Sequence, residues 1–75
     1  MPRLPQISAN KLIKILTKLG FETIRQSGSH VFLKHKDGRT IVIPNHSGEK
    51  IDRGLLNKII RKDIQISREK FIELL

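Results

Sequence analysis

Three histidines are the side chains of this sequence best suited to proton transfer, and they stand at positions 30, 35 and 46. An imidazole titrates close to neutral pH, so it can act as a general acid or a general base. Three histidines can also bind zinc. His30 and His35, however, lie an odd number of residues apart in one predicted strand and therefore face opposite sides of a sheet. No His-x-x-x-His pair lies on a predicted helix, and we predict no metal site.

Other kinds of hydrolytic site find no support in the residues. The chain has no cysteine, no Gly-x-Ser-x-Gly nucleophile motif and no glycine-rich loop followed by Lys and Ser or Thr. With 75 residues it forms one small domain, which leaves little room for a cofactor pocket. We therefore expect neither a nucleophile from the protein nor a bound cofactor.

Cleavage of RNA is a reaction that a histidine in a basic protein suits, because the 2′-hydroxyl of the substrate attacks the adjacent phosphate. The protein then has to move protons and stabilise the phosphorane charge. Gly28-Ser29-His30 places a histidine at a tight turn, beside backbone N–H groups that can meet a phosphate. Gly28 suits a positive φ or close approach of a phosphate. Ser29 either donates a hydrogen bond to phosphate or forms the turn.

Positive charge points to a polyanionic partner. Fifteen Lys and Arg residues against seven Asp and Glu residues give a net charge of +8 and a pI near 10.5. Each phosphate contact made by such a surface releases counterions, which favours binding to nucleic acid.

Several residues are candidates to contact RNA. Lys34 and Lys36 share the strand parity of His30, and Phe32 on the same side is placed to stack on a base. His35 is interpreted as a partly buried structural residue. The further candidates lie on the loop after the third predicted strand and at the start of the second predicted helix, where free N–H groups can also hold phosphate: His46, Lys50 and Arg53.

Apolar spacing and capping residues predict the elements that position these side chains. Ser8 caps a first helix that Gly20 ends, and Asp52 and Ser67 cap a second helix and a short last one. Three strands are predicted between the first two helices, at about Phe21–Gln26, His30–Lys36 and Arg39–Ile43. Asp37-Gly38 predicts a type I′ hairpin turn with positive φ at both residues. Residues 1–7 are expected to form a loosely held arm.

This order, α-β-β-β-α with a short C-terminal helix, predicts a single α+β domain over residues 1–75. The fold is a two-layer one, a three-stranded antiparallel sheet with helices on one face. The double-stranded RNA-binding domain has the same element order. The N-terminus does not read as a signal peptide and no apolar run is long enough to span a membrane. We expect a cytoplasmic protein that does not associate with membranes.

An ordered set of motifs over roughly Lys11 to Lys62 resembles the HicA toxins, the YcfA-like mRNA interferases. The motifs are Gly28-Ser29-His30, a strand ending in Lys34-His35, Ile43-Pro44-Asn45-His46 and Gly54-Leu55-Leu56. The resemblance implies a fold like that of a double-stranded RNA-binding domain and metal-independent cleavage of mRNA, which arrests translation and growth. It also implies neutralisation by a HicB antitoxin and a catalytic role for His30.

Two alternatives follow from the residues alone. The charge and the element order also fit a non-catalytic module that binds double-stranded RNA. A small DNA-binding protein that uses its sheet is the other alternative. The nuclease interpretation further predicts an acidic inhibitor that covers His30.

Overall fold

The computed structural model describes residues 4–45 and 49–75. The order of elements agrees with the order predicted from the sequence. Within the described residues, three helices, three strands and one π-helical segment follow one another: α1 Ala9–Lys18, β1 Phe21–Ser27, β2 His30–His35, β3 Thr40–Pro44, α2 Arg53–Lys58, the π-helical segment Ile59–Ile64 and α3 Arg68–Glu73.

All three predicted helix caps are present. The Ser8 hydroxyl accepts a hydrogen bond from the Lys11 backbone N–H at 3.2 Å. The Asp52 carboxylate accepts from the N–H groups at the start of α2, and Ser67 accepts from Lys70 at the start of α3. Each cap satisfies a backbone donor that has no partner within its helix.

The three strands form one antiparallel sheet in the order β1-β2-β3. The register between β1 and β2 shifts between Thr23 and Arg25, so Ile24 is the extra residue of a bulge. Beyond the bulge, Arg25 lies opposite Phe32, and Phe32 in turn lies opposite Val42 on β3.

Alternating burial along β2 separates the two faces of the sheet. Val31 and Leu33 are buried in the core, whereas His30 and Lys34 are exposed. The helices contribute the other half of the core, including four residues of α1 and the three isoleucines of the π-helical segment. The protein is therefore an α+β fold with helices on one face of the sheet, a layout consistent with a double-stranded RNA-binding-domain-like fold. No helix within residues 4–45 and 49–75 is long and apolar enough to cross a membrane.

The turn between β2 and β3 differs from the predicted type I′ hairpin. Gly38 has a φ of +99°, but Asp37 does not have a positive φ. The His35 N–H donates to the Arg39 carbonyl and the Gly38 N–H donates to the His35 carbonyl, so the loop contains three residues rather than two. A three-residue loop of this kind has a positive φ at its last residue alone. The Asp37 side chain also accepts a hydrogen bond from the Arg39 N–H at 3.0 Å. The predicted two-residue turn does not include this bond.

The N-terminal segment is not a loose arm over the residues that the structure describes. Leu4 and Ile7 are both buried in the core. The Ile7 carbonyl accepts from the Ile51 N–H, and the Leu4 carbonyl accepts from Arg53 Nε. The prediction for residues 4–7 was wrong because two prolines and polar neighbours obscured two apolar anchors. Residues 1–3 lie outside the described part of the chain.

The second helix extends through Ile64 as a π-helix rather than ending before Asp63. Gln65 then adopts a left-handed φ of 62°, and its N–H donates to the Ile60 carbonyl at 2.8 Å. In this π-helical segment, Ile59, Ile60 and Ile64 are all buried against the core.

Candidate functional site

His30 is the first residue of β2 and follows directly on the Gly28-Ser29 turn that joins β1 to β2. It pairs with Ser27 on β1 and with Pro44 on β3, so it lies at one end of the sheet. Its side chain is exposed, and no hydrogen bond or ion pair to it exists among the described residues. The imidazole is therefore accessible to a ligand.

The turn before His30 is fixed by Gly28, whose φ is +58°. Ser29 does not have a positive φ, so the turn matches type II′, which places glycine at its first central position. No atom lies within 4 Å of where a Cβ at Gly28 would stand. The backbone at Gly28 is thus open to solvent, which leaves room for a phosphate beside His30.

Asn45 connects the same end of the sheet to α1 through its backbone and its side chain, which the sequence analysis did not predict. The Asn45 N–H donates to the Ser29 carbonyl, and Asn45 Nδ2 lies 3.4 Å from Asn10 Oδ1 on α1. These contacts join the turn, the end of β3 and helix α1. The Ile43-Pro44-Asn45-His46 motif contained the signal, but only the fold brings Asn45 to Asn10.

Phe32 and Lys34 lie on the same face of the sheet as His30, as strand parity predicted. Phe32 is partly buried on this outer face because Val31 and Leu33 occupy the core. The Arg25 guanidinium lies over the Phe32 ring, 4.5 Å from Cζ to the ring centroid. This pair could not be predicted from the sequence, because the bulge at Ile24 sets the register that brings Arg25 opposite Phe32.

Lys50 lies at the same end of the molecule as His30. Lys50 lines a shallow depression together with Pro44, the β3 partner of His30. Lys36 lies beyond the end of β2, in the turn, and is exposed. Arg53 Nε donates a hydrogen bond to the Leu4 carbonyl at 3.0 Å, so this N–H group stabilises the fold and is not free to bind RNA. The candidate RNA contact His46 lies outside the described residues.

His35 has the structural surroundings that the sequence predicted. Its Nδ1 lies 3.2 Å from Asp37 Oδ1 and its side chain is 21% exposed. The ring packs edge-on against Phe21, with 5.0 Å between centroids. A Cβ on Gly20, which has a φ of +98°, would stand 2.9 Å from Nε2 of His35. The imidazole therefore fills the space beside Gly20.

Ionic contacts and hydrogen bonds in the turn between β2 and β3 stabilise the fold. A backbone hydrogen bond from Arg39 lowers the pKa of Asp37, and the Arg39 guanidinium at 2.7 Å lowers it further. Arg39 Nη1 also donates to the Ile64 carbonyl at 2.7 Å. The turn is thereby tied to the end of the π-helical segment.

Across residues 4–45 and 49–75, no three His, Asp or Glu side chains come close enough to hold a metal ion together. The arrangement on this part of the chain instead offers one accessible imidazole, an open turn and nearby cations, which can transfer a proton and attract a phosphate.

Comparison with known protein families identifies one that matches this chain. The model of the family described as HicA toxin of bacterial toxin–antitoxin matches residues 9–66, which include α1, the whole sheet, α2 and the π-helical segment. No curated protein matches the chain. Since the match extends over most of the sequence, the chain belongs to the HicA toxin family and is the toxin of a bacterial toxin–antitoxin system, with an antitoxin as its partner.

Proposed function

We propose that the protein is a metal-independent endoribonuclease that cleaves mRNA, and that His30 transfers a proton in the reaction. The observation that supports this most is the placement of His30, which is exposed at the end of the sheet beside the open backbone of Gly28. His35, the other described histidine, is occupied by contacts within the fold.

The proposed reaction uses a nucleophile from the substrate. The 2′-oxygen attacks the adjacent phosphorus, the bond from phosphorus to the 5′-oxygen breaks, and a 2′,3′-cyclic phosphate and a 5′-hydroxyl are formed. One proton leaves the 2′-hydroxyl and another reaches the departing 5′-oxygen. His30 assists at least one of these transfers, as a general base or as a general acid.

Positive charge and backbone donors supply the rest of the proposed site. Gly28 and Ser29 offer backbone groups beside His30 that can approach the scissile phosphate. Lys50 lines a depression together with Pro44, the β3 partner of His30. Lys34 lies four residues further along β2, on the same face as His30. The remaining proposed contacts to the RNA backbone are Lys36, His46 and Arg53.

The proposal extends to the antitoxin. A HicB-type antitoxin neutralises the enzyme by covering His30, and it presents acidic groups to a toxin whose net charge is +8. Because the substrate is mRNA, the proposal also places the protein in the cytoplasm.

The test uses purified wild-type protein, a labelled single-stranded RNA and excess EDTA. We expect cleavage to persist in EDTA and the products to carry 2′,3′-cyclic phosphate and 5′-hydroxyl ends. The control substrate has a single 2′-deoxynucleotide at the cleaved position and should remain intact at that position. Binding without cleavage would instead support the non-catalytic RNA-binding module, and loss of activity in EDTA would contradict the metal-free mechanism.

A further inference from the structure

The outer face of the sheet carries apolar side chains that the core does not use. Within the described ranges, Ile24 is 56% exposed and Val42 is 46% exposed, more than any other large hydrophobic residue. Val42 lies opposite the partly buried Phe32, and Ile24 directly precedes Arg25, which lies opposite Phe32 on the other side. Exposed apolar side chains that cluster in this way indicate a surface with a binding role.

Arg25, Phe32 and Val42 form a row across the three strands. Arg25 lies opposite Phe32 and Phe32 lies opposite Val42. The guanidinium of Arg25 lies over the Phe32 ring, with Cζ 4.5 Å from the ring centroid. The guanidinium, the phenyl ring and the neighbouring Val42 thus offer planar and apolar groups of the kind on which unpaired nucleobases stack.

His30 lies next to this row on the same face. It precedes Phe32 by two residues on β2, which corresponds to about 7 Å along a strand. A base on the row would therefore bring its own ribose and phosphate close to the imidazole. Lys34 continues the strip on the other side of Phe32 and is exposed.

From this juxtaposition we infer that the Arg25–Phe32–Val42 row is a base-stacking subsite, which holds one unpaired nucleobase beside the phosphate that His30 acts on. The inference rests on the proposed nuclease function. Stacking on an aromatic ring depends little on the identity of the base. The subsite accordingly selects RNA that is single-stranded at this nucleotide, because a paired base already has neighbours on both of its faces.

Binding is measured in the His30→Ala background, in which the RNA stays intact. The probe is a short fluorescein-labelled RNA without internal pairing, and the comparison is the same strand annealed to its complement. We expect tighter binding of the unpaired strand. Phe32→Leu should weaken that binding about tenfold and remove the preference over the duplex. Arg25→Lys keeps the charge but loses the planar group, so it should show a smaller loss in the same direction.

Arg61→Lys is the matched control, because Arg61 is exposed on the π-helical segment. It should bind both RNAs as the His30→Ala parent does. Thermal unfolding of each variant by circular dichroism shows whether the fold is retained. Phe32→Leu and Arg25→Lys proteins that are folded and bind the unpaired strand like the parent would overturn the inference. A Phe32→Leu protein that loses affinity for its antitoxin but not for RNA would also overturn it, since the row would then serve a protein partner.

A second experiment tests the position of the base relative to the cleaved bond. An abasic residue beside that bond should slow cleavage by the protein with His30 intact, but should cause little further loss in Phe32→Leu. Equal losses in both proteins would contradict the assignment. If the wild-type protein does not cleave RNA at all, the proposed function fails, whereas the binding comparison still decides whether the row stacks a base.

Discussion

The two ends of strand β2 each carry a histidine beside a turn with a glycine at positive φ, yet the two side chains have different surroundings. His35 contacts the Asp37 carboxylate and the Phe21 ring and is 21% exposed. His30 is exposed, and the described residues make no side-chain hydrogen bond to it. The end with His35 is packed and hydrogen-bonded, whereas the end with His30 is open.

The difference indicates how a chain of 75 residues combines stability with a reactive surface. A small domain has little core to spare, so contacts at one end of the sheet help to stabilise it. The Asp37–Arg39 pair and the bond from Arg39 to the Ile64 carbonyl tie that end to the helical layer. The other end can then leave an imidazole accessible.

The largest effect should come from removing the imidazole at the open end. Expression of the wild-type protein without its antitoxin should arrest growth, and His30→Ala should restore growth because proton transfer is lost. Growth curves with matched expression, checked by immunoblot, measure this. Persistent arrest by a fully expressed His30→Ala protein would show that the toxicity does not depend on His30.

Sequence patterns were sufficient to predict the order of elements and the orientation of both histidines. Ser8, Asp52 and Ser67 are local signals for helix starts, and such signals depend on a few neighbouring residues. Strand parity likewise separates His30 from His35 without knowledge of the sheet.

Features that depend on long-range contacts could not be predicted in this way. The contact between the Arg25 guanidinium and the Phe32 ring requires the bulge at Ile24, which is set by the pairing of β1 with β2. Leu4 is buried, and its carbonyl accepts a hydrogen bond from Arg53, 49 residues away. The chemical role of His30 stays a prediction.

Substitutions of Gly20, which contacts His35, and of Gly28, next to His30, test the contrast between the two ends. Gly20→Ala should destabilise the protein by about 3 kcal/mol, because φ is +98° and the new Cβ would stand 2.9 Å from His35 Nε2. Gly28→Ala should cost about 1–2 kcal/mol, because φ is +58° but the space is empty. Thermal unfolding should place Gly20→Ala about 12–24 °C below the wild type and about 4–16 °C below Gly28→Ala. The reverse order would contradict the assignment of the packed end.

The packed histidine should affect stability rather than catalysis. His35→Ala removes the edge contact with Phe21 and the polar contact with Asp37, and we expect a loss of about 1–3 kcal/mol. Urea unfolding of the purified variant measures it. An unfolding midpoint equal to that of the wild type would show that the contacts of His35 contribute nothing.

The smallest effect concerns pH. The pKa of folded Asp37 is lowered from 3.8, so the ionised carboxylate stabilises the fold above that pH, and the stabilisation is lost as the pH falls through the folded-state pKa. Asp37→Asn should lower the urea midpoint at neutral pH, and its difference from the wild type should shrink as the pH falls below 3.8. Glu49→Gln at an exposed position is the control. A difference that grows toward acid pH would contradict the sign of the shift.

The most direct test of the contrast between the two ends is a side-by-side measurement of single-turnover RNA cleavage by His30→Ala and His35→Ala. Rates are normalised to the folded fraction of each protein at a temperature well below both unfolding midpoints. We predict that His30→Ala lowers the rate by about 10²- to 10⁴-fold, while folded His35→Ala cleaves at nearly the wild-type rate. Equal losses in the two variants, or a larger loss in His35→Ala, would contradict the account.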